Sequence, residues 1–234
     1  MNKREGARRT LPVWKLWAGF IFVALAAACS PAQPTPEIFN TSSAPTIAVT
    51  PGAALDEIDG VFVGDYLPRP IALQDFTLPG NQSEAMRLSD SNGKWRLLFF
   101  GYTHCPDFCP LTLAEFKQIK ELLGDQADQV AFLFVSVDGE RDTPEAVTEY
   151  IERFDPEFIA FSGDDATLAQ IQQDYGLFYQ RVENAASPEN YMVDHSTRSY
   201  LIDPEGNLRS TFIYNTTPTE SAGAIQWWMA RDEA

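Results

Sequence analysis

Two apolar runs bracket one amphipathic stretch, and this arrangement constrains the fold more than any other feature of the 234-residue chain. Trp95 to Tyr102 (WRLLFFGY) and Val130 to Asp138 (VAFLFVSVD) are short and almost wholly apolar, the pattern of buried strands. Between them, LTLAEFKQIKELLG puts Leu113, Phe116, Ile119, Leu122 and Leu123 on one helical face, with Gly124 as the stop. Pro110 suits the first turn of that helix, where its missing N–H is not needed. TPEAVTEYIERF starts a second helix at Thr143. FIAFSG reads as a short strand, and DATLAQIQQDYG as a third helix. RSYLIDPEGNLRSTFIY reads as a hairpin turning through Pro-Glu-Gly-Asn, and a last helix from about Pro218 carries Trp227 and Trp228. The order predicts an α/β fold, a central mixed β-sheet flanked by helices on both faces.

The N-terminus is built differently. Lys3, Arg4, Arg8, Arg9 and Lys15 precede an uncharged, mostly apolar run from Leu16 to Ala28, which ends in three alanines and Cys29. These are the parts of an export signal peptide. The apolar run is 13 residues long, short for a membrane span, which needs roughly 20. Small residues leading into Cys29 resemble a bacterial lipobox, although Ala26 stands where Leu is usual. Residues 1–28 are therefore expected to be a signal peptide of lipoprotein type, or a signal anchor, with Cys29 as the lipidation site. Either places the remaining chain on the extracytoplasmic side of the cell membrane. Residues 29–59 are expected to form a disordered, Pro-rich tether, since Ser30 to Gly52 holds five prolines and no Lys or Arg. Residues 60–234 have globular composition and suit one domain. The net charge of −16 becomes −20 once the signal's five basic residues and Glu5 are removed. This excludes nucleic acid as an expected partner, because phosphate binding needs a basic face.

The loop after the first strand, GYTHCPDFCP, holds Cys105 and Cys109. A dithiol between a buried strand and its helix is the thioredoxin-like arrangement. A thiol beside a helix N-terminus meets partial positive charge and free N–H groups, which lower its pKa, and Cys109 is expected to benefit most. A permanent disulfide here closes a very short loop and constrains the unfolded chain little. A redox couple or a metal site fits this position better than a structural staple. Of the two histidines, His104 is expected to be packed or hydrogen-bonded locally. His195 lies before the hairpin, in a loop that faces the cysteines in a thioredoxin-like domain.

FFGYTHCPDFCPLTL, SVDGERDTPE and YMVDHSTRSYLIDPEG together resemble the SCO/SenC family of copper-binding proteins in respiratory oxidase assembly. The resemblance runs from about Gly60 to Trp228. It implies a metallochaperone in which Cys105, Cys109 and His195 bind one copper, Cu(I) or Cu(II). It also implies as partners the copper-site subunit of cytochrome c oxidase, other copper chaperones or thiol reductants, and the membrane. Cys105 and Cys109 would then also form a reversible, redox-active disulfide. Gly139 departs from the family pattern, which has proline after Asp138. A soft set of two thiolates and one imidazole suits Cu(I), whereas a closed zinc site would need Asp107 or Asp194 to move in. Asp194 is a candidate to orient the His195 ring. The rival is a thiol-disulfide oxidoreductase of the cell envelope that uses Cys105 and Cys109 without metal. Such enzymes usually carry C-x-x-C and a cis-proline before the hairpin strand, and residues 195–200 contain no proline. Nor is there a convincing thiol peroxidase pattern of Thr-x-x-Cys with a nearby Arg.

Overall fold

Strands β4 (Trp95–Gly101) and β5 (Val130–Ser136) lie side by side in parallel, and every residue of both is buried. They form the centre of a six-stranded sheet in a computed structural model that describes residues 65–183 and 190–232. The expected signal peptide, Cys29 and the tether lie outside the described residues. The other strands, in chain order, are β1 (Asp65–Ala72), β2 (Thr77–Leu78), β3 (Met86–Arg87), β6 (Ile159–Phe161), β7 (Tyr179–Val182), β8 (Met192–His195), β9 (Ser199–Ile202) and β10 (Asn207–Phe212). The helices are α1 (Phe108–Leu123), α2 (Pro144–Ile151), α3 (Asp165–Tyr175) and α4 (Pro218–Asp232). The main sheet runs β1-β10-β9-β4-β5-β6. β4, β5 and β6 are parallel, and β9, β10 and β1 complete the sheet antiparallel. The mixed sheet is thus as the sequence predicts.

Leu97 pairs with Phe132 and Phe99 with Phe134, so these four side chains share one face. Phe132 meets Phe116 of α1, Phe134 meets Tyr150 of α2, and Trp95 on the same face meets Trp228 of α4. Phe100 points to the other face and meets Tyr175 of α3. Helices therefore cover both faces, which is why the central strands carry no polar alternation. Full burial of each such Phe or Leu stabilises by about 1.5–3 kcal/mol. The exception in β4 is Arg96, only 1% exposed; its guanidinium donates to Asn92 Oδ1 at 2.8 Å and to the Asp203 carbonyl. The buried charge thereby fastens the start of β4 to the β9–β10 turn.

The helix start expected at Thr143 is observed, and α3 has a similar cap. The Thr143 side chain accepts from the Ala146 N–H, and Asp164 does the same for Thr167. Gly124 ends α1 as expected. Leu122, expected on the buried face, is instead 49% exposed. Three features were not foreseen. β1 is an edge strand, where Pro68 and Pro70 are tolerated across an irregular register. β2–β3 and β7–β8 form separate two-stranded ribbons.

The departure at Gly139 has a local cause. A Cβ there would lie 2.0 Å from the carbonyl oxygen of Gly163, where the chain leaving β5 crosses the chain leaving β6. Backbone on both sides leaves no side chain to yield. Gly139→Ala is expected to destabilise by about 1–3 kcal/mol, read as a lower urea midpoint with an unchanged slope.

Candidate metal centre

Cys105 and Cys109 belong to the turn that carries β4 into α1. Cys109 lies in the first turn of the helix and is fully buried, while Cys105 keeps 9% of its surface exposed. Both are free thiols. Room for the Cys109 sulfur comes from Gly101, the last residue of β4. A Cβ at that position would lie 2.8 Å from Cys109 Sγ and 2.8–2.9 Å from the ring edges of Phe99 and Phe134.

His195 is the last residue of β8, so the expected loop position becomes a strand end, paired across the β7–β8 ribbon with Tyr179. Its Nε2 is 3.5 Å from Cys109 Sγ. Its Nδ1 is 2.9 Å from the Ser196 carbonyl oxygen. A carbonyl only accepts, so Nδ1 carries a proton, and Nε2 is the ring atom turned toward the sulfurs. Edge-on contacts with Phe99 (5.9 Å between centroids) and Tyr102 (5.7 Å) hold the ring plane. The expected orienting role of Asp194 is not seen. Asp194 is exposed and pairs with Gln180, and the neighbouring backbone carbonyl does the work instead. His104 is exposed, as a locally bonded side chain rather than a packed one. Its Nδ1 lies 3.0 Å from Thr103 Oγ1 and 3.6 Å from Asp142 Oδ1.

The thiols differ in the opposite sense to that expected from the helix N-terminus. The hydrogen bond from the Cys109 thiol holds the Cys105 pKa well below the usual thiol range, against the opposing cost of burial. His195 and the N–H groups of Cys109 and Asp107 add to the lowering. Burial pushes Cys109 up, and the hydrogen bond to Cys105 pushes the same way. Complete desolvation thus outweighs the partial charge of the helix end. Burial also drives the Tyr102 phenol up to about 12. It stays a neutral group beside the sulfurs.

Cys105, Cys109 and His195 each offer one ligand atom, and these atoms all lie within 4.8 Å of one another. Bonds of about 2.0–2.3 Å, usual for N and S ligands on first-row metals, would place three trigonal donors about 3.5–4.0 Å apart. Small adjustments therefore let the three share one ion. Among the described residues, no carboxylate joins the group. The site opens into a cavity of about 270 Å³ lined by Tyr102, Phe108, Phe178, Met192 and Thr197 together with Cys105 and His195. Two supporting residues escaped sequence reasoning. Gly101 stands in the cysteine stretch itself, where a strand-end glycine signals close approach. Asp142 is fully buried and accepts from the Thr103 N–H (2.8 Å), Thr103 Oγ1 (2.5 Å) and Ser136 Oγ (2.6 Å), and it lies too far along the chain for any local signal.

The sequence model described as SCO1/SenC matches residues 65–230. The chain belongs to the SCO1/SenC family. Its fold is thioredoxin-like, as expected. The structure of Bradyrhizobium japonicum ScoI with copper bound is similar to it, 36% identical with a TM-score of 0.60, over 66% of this chain and 98% of that one. The solution structure of apo Sco1 from Thermus thermophilus is also 36% identical, with a TM-score of 0.62 over 70% and 94%. A SCO2-like protein of Rickettsia conorii is 34% identical over 146 residues, 62% of this chain and 71% of the relative.

The inverted thiol order can be checked with iodoacetamide on the reduced protein. Cys105 should be the site of first alkylation, by peptide mass. Its rate should hold as pH falls from 8 to 6, where an unperturbed thiol loses about tenfold per unit. First labelling at Cys109 would contradict the assignment.

Proposed function

We propose that this chain is a membrane-anchored, extracytoplasmic copper-binding protein. It delivers copper to the copper site of cytochrome c oxidase during assembly, or reduces the cysteines of that site. The supporting observation is the convergence of two sulfurs and one imidazole nitrogen within 4.8 Å, with His195 held so that Nε2 is free to ligate. A soft donor set of this size suits Cu(I), while a structural zinc site wants a fourth ligand. The copper-bound state of Bradyrhizobium ScoI supports the same reading. Copper is cargo here rather than a resident cofactor. The chain contributes a Cys105 sulfur that gives up its proton readily, an imidazole with Nε2 turned to the sulfurs, and a buried Cys109 whose proton must leave. Binding therefore releases protons. Phe108, Phe178 and Met192 are exposed around the cavity, and Tyr214 meets Phe108 edge-on with ring centroids 4.9 Å apart. This apolar rim suits a protein partner, such as the copper-site subunit, another copper chaperone or a thiol reductant.

The dithiol geometry favours a second reading, a metal-free thiol-disulfide oxidoreductase. The Cys109 N–H lies 3.4 Å from Cys105 Sγ, so the two sulfurs are near neighbours on one turn. Cys105 would attack a partner disulfide. Cys109 would then close the disulfide between Cys105 and Cys109, two thiols yielding two electrons and two protons to the partner's sulfurs.

Copper titration with metal analysis separates the two. One copper per chain is expected, with sulfur-to-copper charge-transfer absorption in the Cu(II) form. Two tightly bound coppers, or a preference for zinc in competition, would sink the copper reading. His195→Ala should weaken copper binding at least tenfold while the disulfide between Cys105 and Cys109 still forms. Undiminished affinity would favour the metal-free oxidoreductase.

For the anchor, we propose lipidation at Cys29 after removal of residues 1–28. The small residues Ala26, Ala27 and Ala28 leading into Cys29 support a lipid. Cys29→Ser should move the protein from the membrane to the soluble extracytoplasmic fraction. An intact mass of the membrane form that includes residues 1–28 without acyl chains would identify a signal anchor.

A further inference from the structure

The loop that joins β5 to α2 touches both halves of the candidate ligand set. On one side, Asp142 takes the N–H and hydroxyl of Thr103, two residues before Cys105. On the other side, the same loop grips Tyr191, which leads into β8 four residues before His195. The Tyr191 hydroxyl donates to Asp138 Oδ1 at 2.5 Å. The Arg141 guanidinium lies 3.5 Å from the Tyr191 ring centroid and donates to the Tyr191 carbonyl at 3.0 Å. Arg141 Nε also donates to Asp138 Oδ2 at 2.6 Å, which fixes the guanidinium over the ring. Arg181, on the partner strand β7, covers the ring's second face at 3.6 Å and pairs with Glu140 at 2.6 Å. Tyr191 is thus held by ring, hydroxyl and carbonyl at once, and is only 4% exposed.

The β7–β8 ribbon is a sheet of its own, not hydrogen-bonded into the six-stranded sheet. Among the described residues, the Tyr191 clamp joins the start of β8 to the β5–α2 loop through several polar contacts. Arg141 also leans toward the Tyr102 ring (5.9 Å), which in turn meets His195 edge-on. Contact thus runs from Arg141 to the imidazole both along β8 and through Tyr102. A guanidinium over a desolvated aromatic face and a hydrogen bond to a charged group are both among the stronger side-chain contacts.

We infer that Tyr191 and Arg141 are positioning residues for the metal centre: clamped together on the β5–α2 loop, they hold His195 at ligand distance from the two sulfurs. This rests on the copper reading of the site. It predicts that loosening the clamp affects the imidazole ligand selectively and leaves the dithiol alone.

The test uses the full chain carrying Tyr191→Leu, Tyr191→Phe, Arg141→Leu or His195→Ala, beside the unaltered protein. Copper affinity, the nitrogen hyperfine splitting of the Cu(II) electron paramagnetic resonance spectrum, and the rate of disulfide formation are read for each. Tyr191→Leu and Arg141→Leu should weaken copper binding about tenfold and diminish the imidazole hyperfine signal, with the disulfide rate unchanged. Tyr191→Phe keeps the ring between its guanidiniums and should lose about threefold. If Tyr191→Leu fails to fold, Tyr191→Phe and Arg141→Leu decide. Copper affinity and hyperfine splitting equal to those of the unaltered protein in the folded clamp variants would overturn the positioning role. Equal slowing of disulfide formation would overturn it too, since the effect would then be general. If the unaltered protein binds no copper, or His195→Ala binds it equally well, the copper reading itself falls.

Discussion

Parallel pairing of β4 with β5, buried on both faces, is the constraint on which the rest depends. A parallel pair cannot be closed by a tight turn and needs a crossover, here α1, starting at the carboxyl end of β4. The Cys105–Cys109 turn is that start. The β5–α2 loop must emerge at the same end of the sheet, because the strands run together. Asp142 on that loop therefore sits within hydrogen-bond reach of Thr103 without any contribution from sequence proximity. The antiparallel β9, pairing with β4 from the other side, brings its N-terminal end to the same edge, and His195 with it.

Much of this is legible in the sequence because the central elements are locally consistent. The two apolar runs, the helix start at Thr143 and the Gly124 stop each fix one element without reference to the others. The pieces that escaped are those whose stability is not local. β1 has prolines at positions 68 and 70 and no alternation, and it exists as a strand only because β10 offers an edge. β7 and β8 are short and mostly exposed, and are fixed chiefly by contacts with a loop some fifty residues upstream. Cys105, Cys109 and His195 were readable from motif and resemblance. Of their supports, the Ser196 carbonyl carries no sequence signature, and Asp142 lies within the SVDGERDTPE stretch without any local sign of its contact with Thr103.

The thiol order shows how two sound physical rules compete. A helix N-terminus favours the thiolate nearest to it, and burial disfavours any charge. Sequence reveals the first through Pro110 and the helical face that follows. It does not reveal that Gly101 opens a space at which Cys109 is completely desolvated. Once that space is known the order inverts, and Cys105, which keeps contact with solvent, becomes the anionic partner.

Complete enclosure of Cys109 also makes the centre one-sided. A foreign ligand cannot reach past Gly101, Phe99 and Phe134, so any visitor enters through the cavity beside Cys105, Phe108 and Met192. On the proposed copper reading, exchange at such a centre has an inherent direction: the sulfur at the doorway and the imidazole face the newcomer first, and the enclosed sulfur is the last to let go.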